Sequence, residues 1–245
     1  MTATGTDAGT SSFIDDASGN MIQRACLNSR GCRPRTRRYK VRLGTVRDVL
    51  IADAVIELSD HAGFDGWPTT RTAGFGHARL QADLTVEEIG SVVWSFLNAN
   101  HAFDDPGADG SILFGGVRIT DSTTGTVLLP GCCSDLSSRF DLVQCVADGA
   151  GDPWLGHGPW PAVQFNGDDV RLVVDTERTE EVAFTAGLDE VRVALDPIEG
   201  DLRGFLATLE TWAAAHLPGK ADVVVSCFRR GIGTRDVADE PLGGA

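Results

Sequence analysis

Two adjacent cysteines, Cys132 and Cys133, follow a Pro-Gly turn in the segment LLPGCCSDLSSRF. A thiolate is a nucleophile and a metal ligand, and the N-terminus of a helix lowers the pKa of a thiol. A cysteine nucleophile also needs a base, and His157 is the nearest histidine along the chain. Cys133 and His157 are therefore candidates for a catalytic or small-molecule site. The interpretation we favour from sequence is that one cysteine packs under the following helix as a small apolar residue.

The spacing of cysteines and histidines does not predict a metal site. A structural zinc site needs four ligands in recognisable pairs, and the chain contains no CxxC and no HxxxH. Cys132, Cys133, Cys145 and His157 form the one local cluster, and Cys145 falls inside a predicted helix, where packing is its favoured role. The phosphate-loop, nucleophile-elbow and zinc-protease motifs are also absent. We expect no metal and no cofactor, and we favour a binding protein over an enzyme.

The loop GDPWLGHGPWP, residues 151–161, concentrates two tryptophans, a histidine and three prolines. Aromatic side chains on a stiff loop make a good recognition surface, because little conformational entropy is lost on binding. The alternative, which we favour from sequence, is that the tryptophans anchor a long crossover onto a sheet. The candidate binding residues are Trp154, His157 and Trp160 in this loop, with Asp168 and Asp169 in the turn that follows.

The charge of the 245-residue chain is unevenly distributed. Residues 1–47 carry a net charge of +6 and residues 48–245 a net charge of −20, which gives −14 overall. An acidic body repels nucleic acid and anionic membranes and favours a basic protein partner or simple solubility. The chain shows no signal-peptide pattern, and its six cysteines lack the spacing of a disulfide framework. We therefore expect a cytoplasmic protein that binds neither membrane nor, through its main domain, nucleic acid.

The pattern of apolar residues predicts an α+β fold, with a single antiparallel meander sheet and about three covering helices. We expect a disordered basic arm at residues 1–40, one domain at residues 41–228 and a flexible tail at residues 229–245. Thr85 and Glu88 predict a capping box, and Asn166-Gly167 predicts a type I′ hairpin turn. The segment 49–60 is predicted as one long strand or two short ones. The other predicted elements are strands at 112–120, 126–129, 181–185, 190–195 and 221–228, a helix with Leu136, Phe140, Val143 and Ala147 on its apolar face, and a helix from Asp196 with a capping box to Glu199.

The stretch GGVRITDSTTGTVLLPGCCSDL, with WLGHGPWPAVQFNGDDVRL after it, resembles an uncharacterised family of proteins from high-GC bacteria. This resemblance covers residues 115–172 and implies no catalytic assignment. As a class, small acidic α+β proteins of this kind are similar to the immunity proteins of bacterial toxin systems. Together with the charge, this analogy suggests a non-enzymatic binding protein that neutralises a basic toxin or partner. The alternative is an enzyme or small-molecule-binding protein with a site at Cys133 and His157.

Overall fold

The computed structural model describes residues 12–15, 21–24, 50–60, 64–70, 76–106, 112–178 and 182–233. The chain divides into two units, Met1–Thr45 and Val46–Ala245. In the first unit, the described residues form one antiparallel pair of strands, β1 (Ser12–Asp15) and β2 (Met21–Arg24). The rest of the predicted arm at residues 1–40, and most of the predicted tail, lie outside the described residues.

The second unit combines helices with antiparallel sheets, which confirms the predicted α+β class. None of the helices described in this unit combines the length and the hydropathy of a membrane-spanning segment. In chain order, the elements are β3 (Leu50–Leu58), β4 (Gly76–Arg79), α1 (Val86–Ala99), β5 (Gly115–Asp121), β6 (Val127–Leu128), α2 (Ser138–Asp148), β7 (Ala162–Asn166), β8 (Asp169–Val173), β9 (Ala183–Gly187), α3 (Leu188–Leu195), α4 (Ile198–His216) and α5 (Ala221–Ile232).

The strands of this unit form two sheets where the sequence predicts one. The first sheet has the order β4-β3-β5-β6 and the second has the order β7-β8-β9. All neighbouring pairs are antiparallel, as predicted. The two sheets are separated in the chain by α2 and the loop at residues 151–161, which lie between β6 and β7. Strands therefore pair with strands from the same side of this connection.

Two segments predicted as strands are helices, so the described residues hold five helices rather than about three. The segment 190–195 belongs to α3, where Val191 and Leu195 are buried and Val193 is 68% exposed. The segment 221–228 belongs to α5, which continues past the predicted domain end at residue 228. Tertiary packing outweighs the strand preference of the Val-Val-Val run in α5. The buried residues of α5 follow helical spacing and are Val224, Val225, Cys227, Phe228 and Ile232.

The predicted capping box of α1 is confirmed, whereas that of α4 is wrong. The backbone N–H of Glu88 donates to Thr85 Oγ1 at 3.2 Å, and the N–H of Thr85 donates to Glu88 Oε2 at 2.8 Å. Asp196 instead ends α3, and Glu199 accepts a hydrogen bond from Arg139 Nε at 2.8 Å. The predicted apolar face of α4 is confirmed, with Leu202, Phe205, Leu206, Leu209, Trp212 and Ala213 buried.

The buried face of α2 is rotated away from the predicted one. Leu142 and Val146 are buried, but Phe140 and Val143 are each 46% exposed. The cause is Arg139, which is 1% exposed and donates to the backbone carbonyls of Leu136 (at 2.7 Å) and Ile232. These carbonyls lie at the start of α2 and the end of α5, so the buried guanidinium joins two helix termini.

The hairpin between β7 and β8 turns one residue later than predicted. Asn166 pairs with Asp169, so the two loop residues are Gly167 and Asp168. Gly167 has a φ of 65°, whereas Asn166 and Asp168 have negative φ values. A type I′ turn centred on Asn166-Gly167 is therefore wrong. Glycine occupies the first central position of the loop, which is its place in a type II′ turn.

Candidate functional site

The candidate site forms where the segment after β6 lies beside the loop at residues 151–161. The backbone N–H of Gly131 donates to the carbonyl of Leu155 at 2.7 Å, and that of His157 donates to the carbonyl of Cys132 at 3.0 Å. Cys132 and His157 form an isolated antiparallel bridge. Two segments that are distant in sequence are thus held side by side by backbone hydrogen bonds, which do not depend on the side chains at the site.

Two glycines allow this close approach. A Cβ on Gly131 would lie 2.4 Å from the Pro159 carbonyl oxygen and 2.5 Å from the His157 nitrogen. A Cβ on Gly156 would lie 2.4 Å from the Gly131 oxygen, and the φ of Gly156 is 93°. Gly131 immediately precedes Cys132, and Gly156 immediately precedes His157. The lack of a side chain at Gly131 and Gly156 therefore allows the two segments to lie this close together.

The structure brings Cys132, Cys133 and His157 together. The two sulfur atoms are 3.6 Å apart, and one ligand atom from each of the three residues lies within 4.8 Å of the others. Both cysteines are exposed, so the interpretation that one packs as an apolar residue is wrong. They also precede α2 by several residues rather than occupying its N-terminus.

The local backbone explains why both thiols point to the same site. Adjacent side chains on an extended chain alternate in direction, which leads to the expectation that only one cysteine can serve. Cys133 has a φ of 63°, in the left-handed region that non-glycine residues seldom adopt. This turn interrupts the alternation at Cys133. The expectation from extended geometry is therefore wrong here.

The loop is fixed by Leu155, whereas its two tryptophans lie at the surface. Leu155 is 3% exposed, but Trp154 is 48% exposed and Trp160 is 39% exposed. Their ring centroids lie 6.3 Å and 5.7 Å from that of His157, and the two indoles meet edge to face at 6.0 Å. This exposure fits the recognition-surface alternative better than the anchoring one.

The electrostatics of the site favour the neutral form of the Cys132 thiol in the metal-free protein. The pKa of Cys132 is raised, first by its hydrogen bond with Cys133, then by partial burial and by the negative charges of Cys133 and Glu57. Among the described residues, no hydrogen bond joins either thiol to the imidazole, and no carboxylate joins the group. The arrangement therefore lacks the hydrogen-bonded base and the orienting acid of a cysteine nucleophile.

The remaining sequence candidates lie elsewhere. Asp168 and Asp169 are exposed at the turn of the β7–β8 hairpin, at the opposite end of β7 from Trp160. Cys145 is half-buried in α2 and does not join the group. Burial, followed by the charges of nearby aspartates, raises its pKa. A groove of about 420 Å³ runs between α1 and α4, lined by apolar residues that include Trp212, and it contains none of the three grouped residues.

Sequence reasoning named all three residues of the group but did not predict that they meet. The signal was present in the two Gly-X pairs, Gly131-Cys132 and Gly156-His157, because close backbone contact needs glycine on both segments. When the pairing between the two segments is not known, each glycine is interpreted as an ordinary turn residue.

Comparisons with protein families, curated proteins and solved structures found no match to this chain.

Proposed function

We propose that the protein binds a thiophilic divalent metal ion, Zn²⁺ by its geometry, through Cys132, Cys133 and His157. The observation that carries this proposal is the convergence of two sulfurs and one imidazole within 4.8 Å. Thiolate and imidazole ligands suit zinc and copper, whereas magnesium and calcium require oxygen ligands. The donor set therefore selects against the hard cations that are abundant in cells.

The separation of the two sulfurs supports a tetrahedral ion. With zinc–sulfur bonds of about 2.3 Å, the observed 3.6 Å corresponds to an S–Zn–S angle of about 103°. A tetrahedral site has angles near 109°, whereas a linear two-coordinate ion with bonds of the same length would need sulfurs about 4.6 Å apart. The thiols thus have the spacing that zinc requires without rearrangement of the backbone.

The exposure of the donors supports an ion that exchanges with solvent. Cys132 and Cys133 are exposed and His157 is half-buried, so an ion reaches all three without unfolding of the chain. A structural zinc site is usually closed by four protein ligands, whereas the three ligands that the described part of the chain brings together leave a position open. We infer a protein that loads and releases its metal rather than one that needs the metal in order to fold.

A competition titration tests this proposal. Metal-free protein competes with a chromophoric chelator for Zn²⁺, and we expect one tight site per chain. Cys132→Ser, Cys133→Ser and His157→Asn should each weaken zinc binding at least tenfold, because each removes a direct ligand. The matched controls are Cys145→Ser and His101→Asn, which change the same residue types outside the group.

The thiols of Cys26 and Cys32 lie outside the described residues, so the titration uses a background in which both are serine. Retention of wild-type zinc affinity by Cys133→Ser and His157→Asn in that background would overturn the proposal. Folding of each variant is checked by thermal unfolding in the absence of metal, where the site contributes no binding energy.

The charge of the chain favours a second candidate, an acidic binding protein for a basic partner of the kind that immunity-type proteins neutralise. Residues 48–245 carry a net charge of −20, and Trp154 and Trp160 are exposed. A cationic poly-lysine probe should bind less tightly as salt rises. Trp154→Ala and Asp168→Asn with Asp169→Asn should each weaken this binding. Unchanged affinity in both variants would exclude these residues as the contact surface.

A further inference from the structure

The two exposed indoles beside His157 form an apolar surface that metal binding alone does not explain. Tryptophan is largely buried in most proteins, yet Trp154 and Trp160 are 48% and 39% exposed. Both ring centroids lie within 6.3 Å of the imidazole centroid. The two indoles contact each other edge to face, with an interplanar angle of 88°, and both lie beside the ring that carries the nitrogen donor. The surface is suited to a flat ligand.

The donor group leaves one position of a tetrahedral ion free. Among the described residues, no further cysteine, histidine or carboxylate joins Cys132, Cys133 and His157. Zinc with three protein ligands takes water or an exogenous ligand in its fourth position. Because both thiols are exposed, a small molecule can approach the ion from solvent.

The local charge favours an uncharged ligand. Two thiolates and a neutral imidazole already balance the charge of a divalent ion. Asp175 accepts a hydrogen bond from the Trp160 backbone N–H at 3.2 Å, although Arg178 lies 3.8 Å from that carboxylate. With the whole chain at −14, a carboxylate or phosphate approaches against the field. A neutral nitrogen donor approaches without this penalty, and imidazole-type nitrogens suit zinc.

We propose that the fourth position of the zinc site takes an uncharged nitrogen heterocycle whose ring packs against Trp154 and Trp160. The inference rests on the proposed function, because the ion supplies one of the two contacts. The indoles supply the other through aromatic packing, and together they select planar ligands that carry a nitrogen donor. Anionic donors and rings without a donor are both disfavoured.

The test uses the full-length protein loaded with Co²⁺, whose visible absorption changes when a ligand enters its coordination sphere. The probes are benzimidazole, imidazole and benzoate. We expect benzimidazole to change the cobalt spectrum and to bind about two- to tenfold more tightly than imidazole, since aromatic packing contributes about 0.5–1.5 kcal/mol. Benzoate, which has the ring and an anionic donor, should bind more weakly than either heterocycle.

Variants separate the two contacts. Trp154→Ala with Trp160→Ala should abolish the preference for benzimidazole over imidazole while imidazole binding persists. Replacement of both tryptophans by Phe should retain part of the preference for benzimidazole. This variant is the control for the case in which the alanine substitutions disturb the structure of the loop. Phe140→Ala removes an aromatic ring that is exposed on α2, and it should leave the preference for benzimidazole over imidazole unchanged.

The possible results distinguish the heterocycle site from the metal site. If cobalt binds but no heterocycle alters its spectrum, this inference fails and the proposed metal site stands. Heterocycle binding without a spectral change also overturns it, since the ring would then rest on the indoles alone. A benzimidazole preference that survives the double alanine variant excludes the tryptophans. If neither Zn²⁺ nor Co²⁺ binds, both proposals fail together.

Discussion

Substitution of Gly131 by alanine should open the site without replacing any of its ligands. The added Cβ would lie 2.4 Å from the Pro159 oxygen and 2.5 Å from the His157 nitrogen, whereas ordinary contact begins near 3.4 Å. The two segments must therefore separate by about 1 Å. This movement breaks the bonds from Gly131 to Leu155, at 2.7 Å, and from His157 to Cys132, at 3.0 Å.

The expected cost follows from these two bonds. Each backbone hydrogen bond contributes about 1 kcal/mol net, so Gly131→Ala should lower the free energy of unfolding by about 2 kcal/mol. For a unit of this size, such a loss lowers the Tm by about 4–8 °C. Displacement of His157 by about 1 Å should also weaken zinc binding about 10–100-fold, the range seen when supporting contacts around a metal are lost.

Thermal unfolding and chelator competition measure the two effects on the same samples. Gly158→Ala is the matched control, because Gly158 has a φ of 56° but no atom within 4 Å of an added Cβ. It should destabilise the fold through backbone strain alone, by about 1 kcal/mol, and keep its zinc affinity. Wild-type stability and zinc affinity in Gly131→Ala would refute the proposed role of the close backbone contact.

Three further predictions concern the fold. Leu142→Ala, at a fully buried position, should lower the free energy of unfolding by about 2–5 kcal/mol, whereas the half-exposed Val143→Ala should change it by less than about 0.5 kcal/mol; equal losses in denaturant unfolding would contradict the observed face of α2. Arg139→Met should cost about 2–4 kcal/mol by leaving buried carbonyls without a donor, and Glu199→Gln, with its side chain 47% exposed, less than about 1 kcal/mol; a similar loss for both would assign the effect to the ion pair. Burial lowers the pKa of His77, against the opposing charge of Glu57, so the unfolded chain binds more protons and stability should fall as pH drops through about 6.5. His77→Gln should flatten this decline in urea unfolding between about pH 7.5 and pH 5.5, and an unchanged slope would be inconsistent with a half-buried imidazole whose pKa is lowered.

Local signals in the sequence predicted those parts of the fold that local interactions determine. The capping box at Thr85 and Glu88 formed because both partners lie within one helical turn. The apolar face of α4 was also predictable, because its apolar residues recur at helical spacing. The strand predictions at 190–195 and 221–228 were wrong because valine-rich runs fit both the period of a strand and that of a helix. Packing against other elements determines which of the two forms.

Long-range contacts account for the remaining differences. Arg139 is buried because the carbonyl of Ile232, far along the chain, accepts its hydrogen bond, and this contact rotates α2 away from the face predicted by hydrophobicity. Likewise, Cys132 and His157 were both named from sequence, but their bridge depends on a close approach of Gly131 and Gly156. No local pattern encodes which two loops will meet.

X-ray absorption at the zinc K-edge of the loaded protein tests the central claim most directly. Coordination by Cys132, Cys133 and His157 predicts two sulfur scatterers at about 2.3 Å and nitrogen or oxygen scatterers at about 2.0–2.1 Å. The Cys133→Ser variant should lose one of the sulfurs. A shell of nitrogen and oxygen alone, or two sulfurs that persist in Cys133→Ser, would contradict zinc binding at this site.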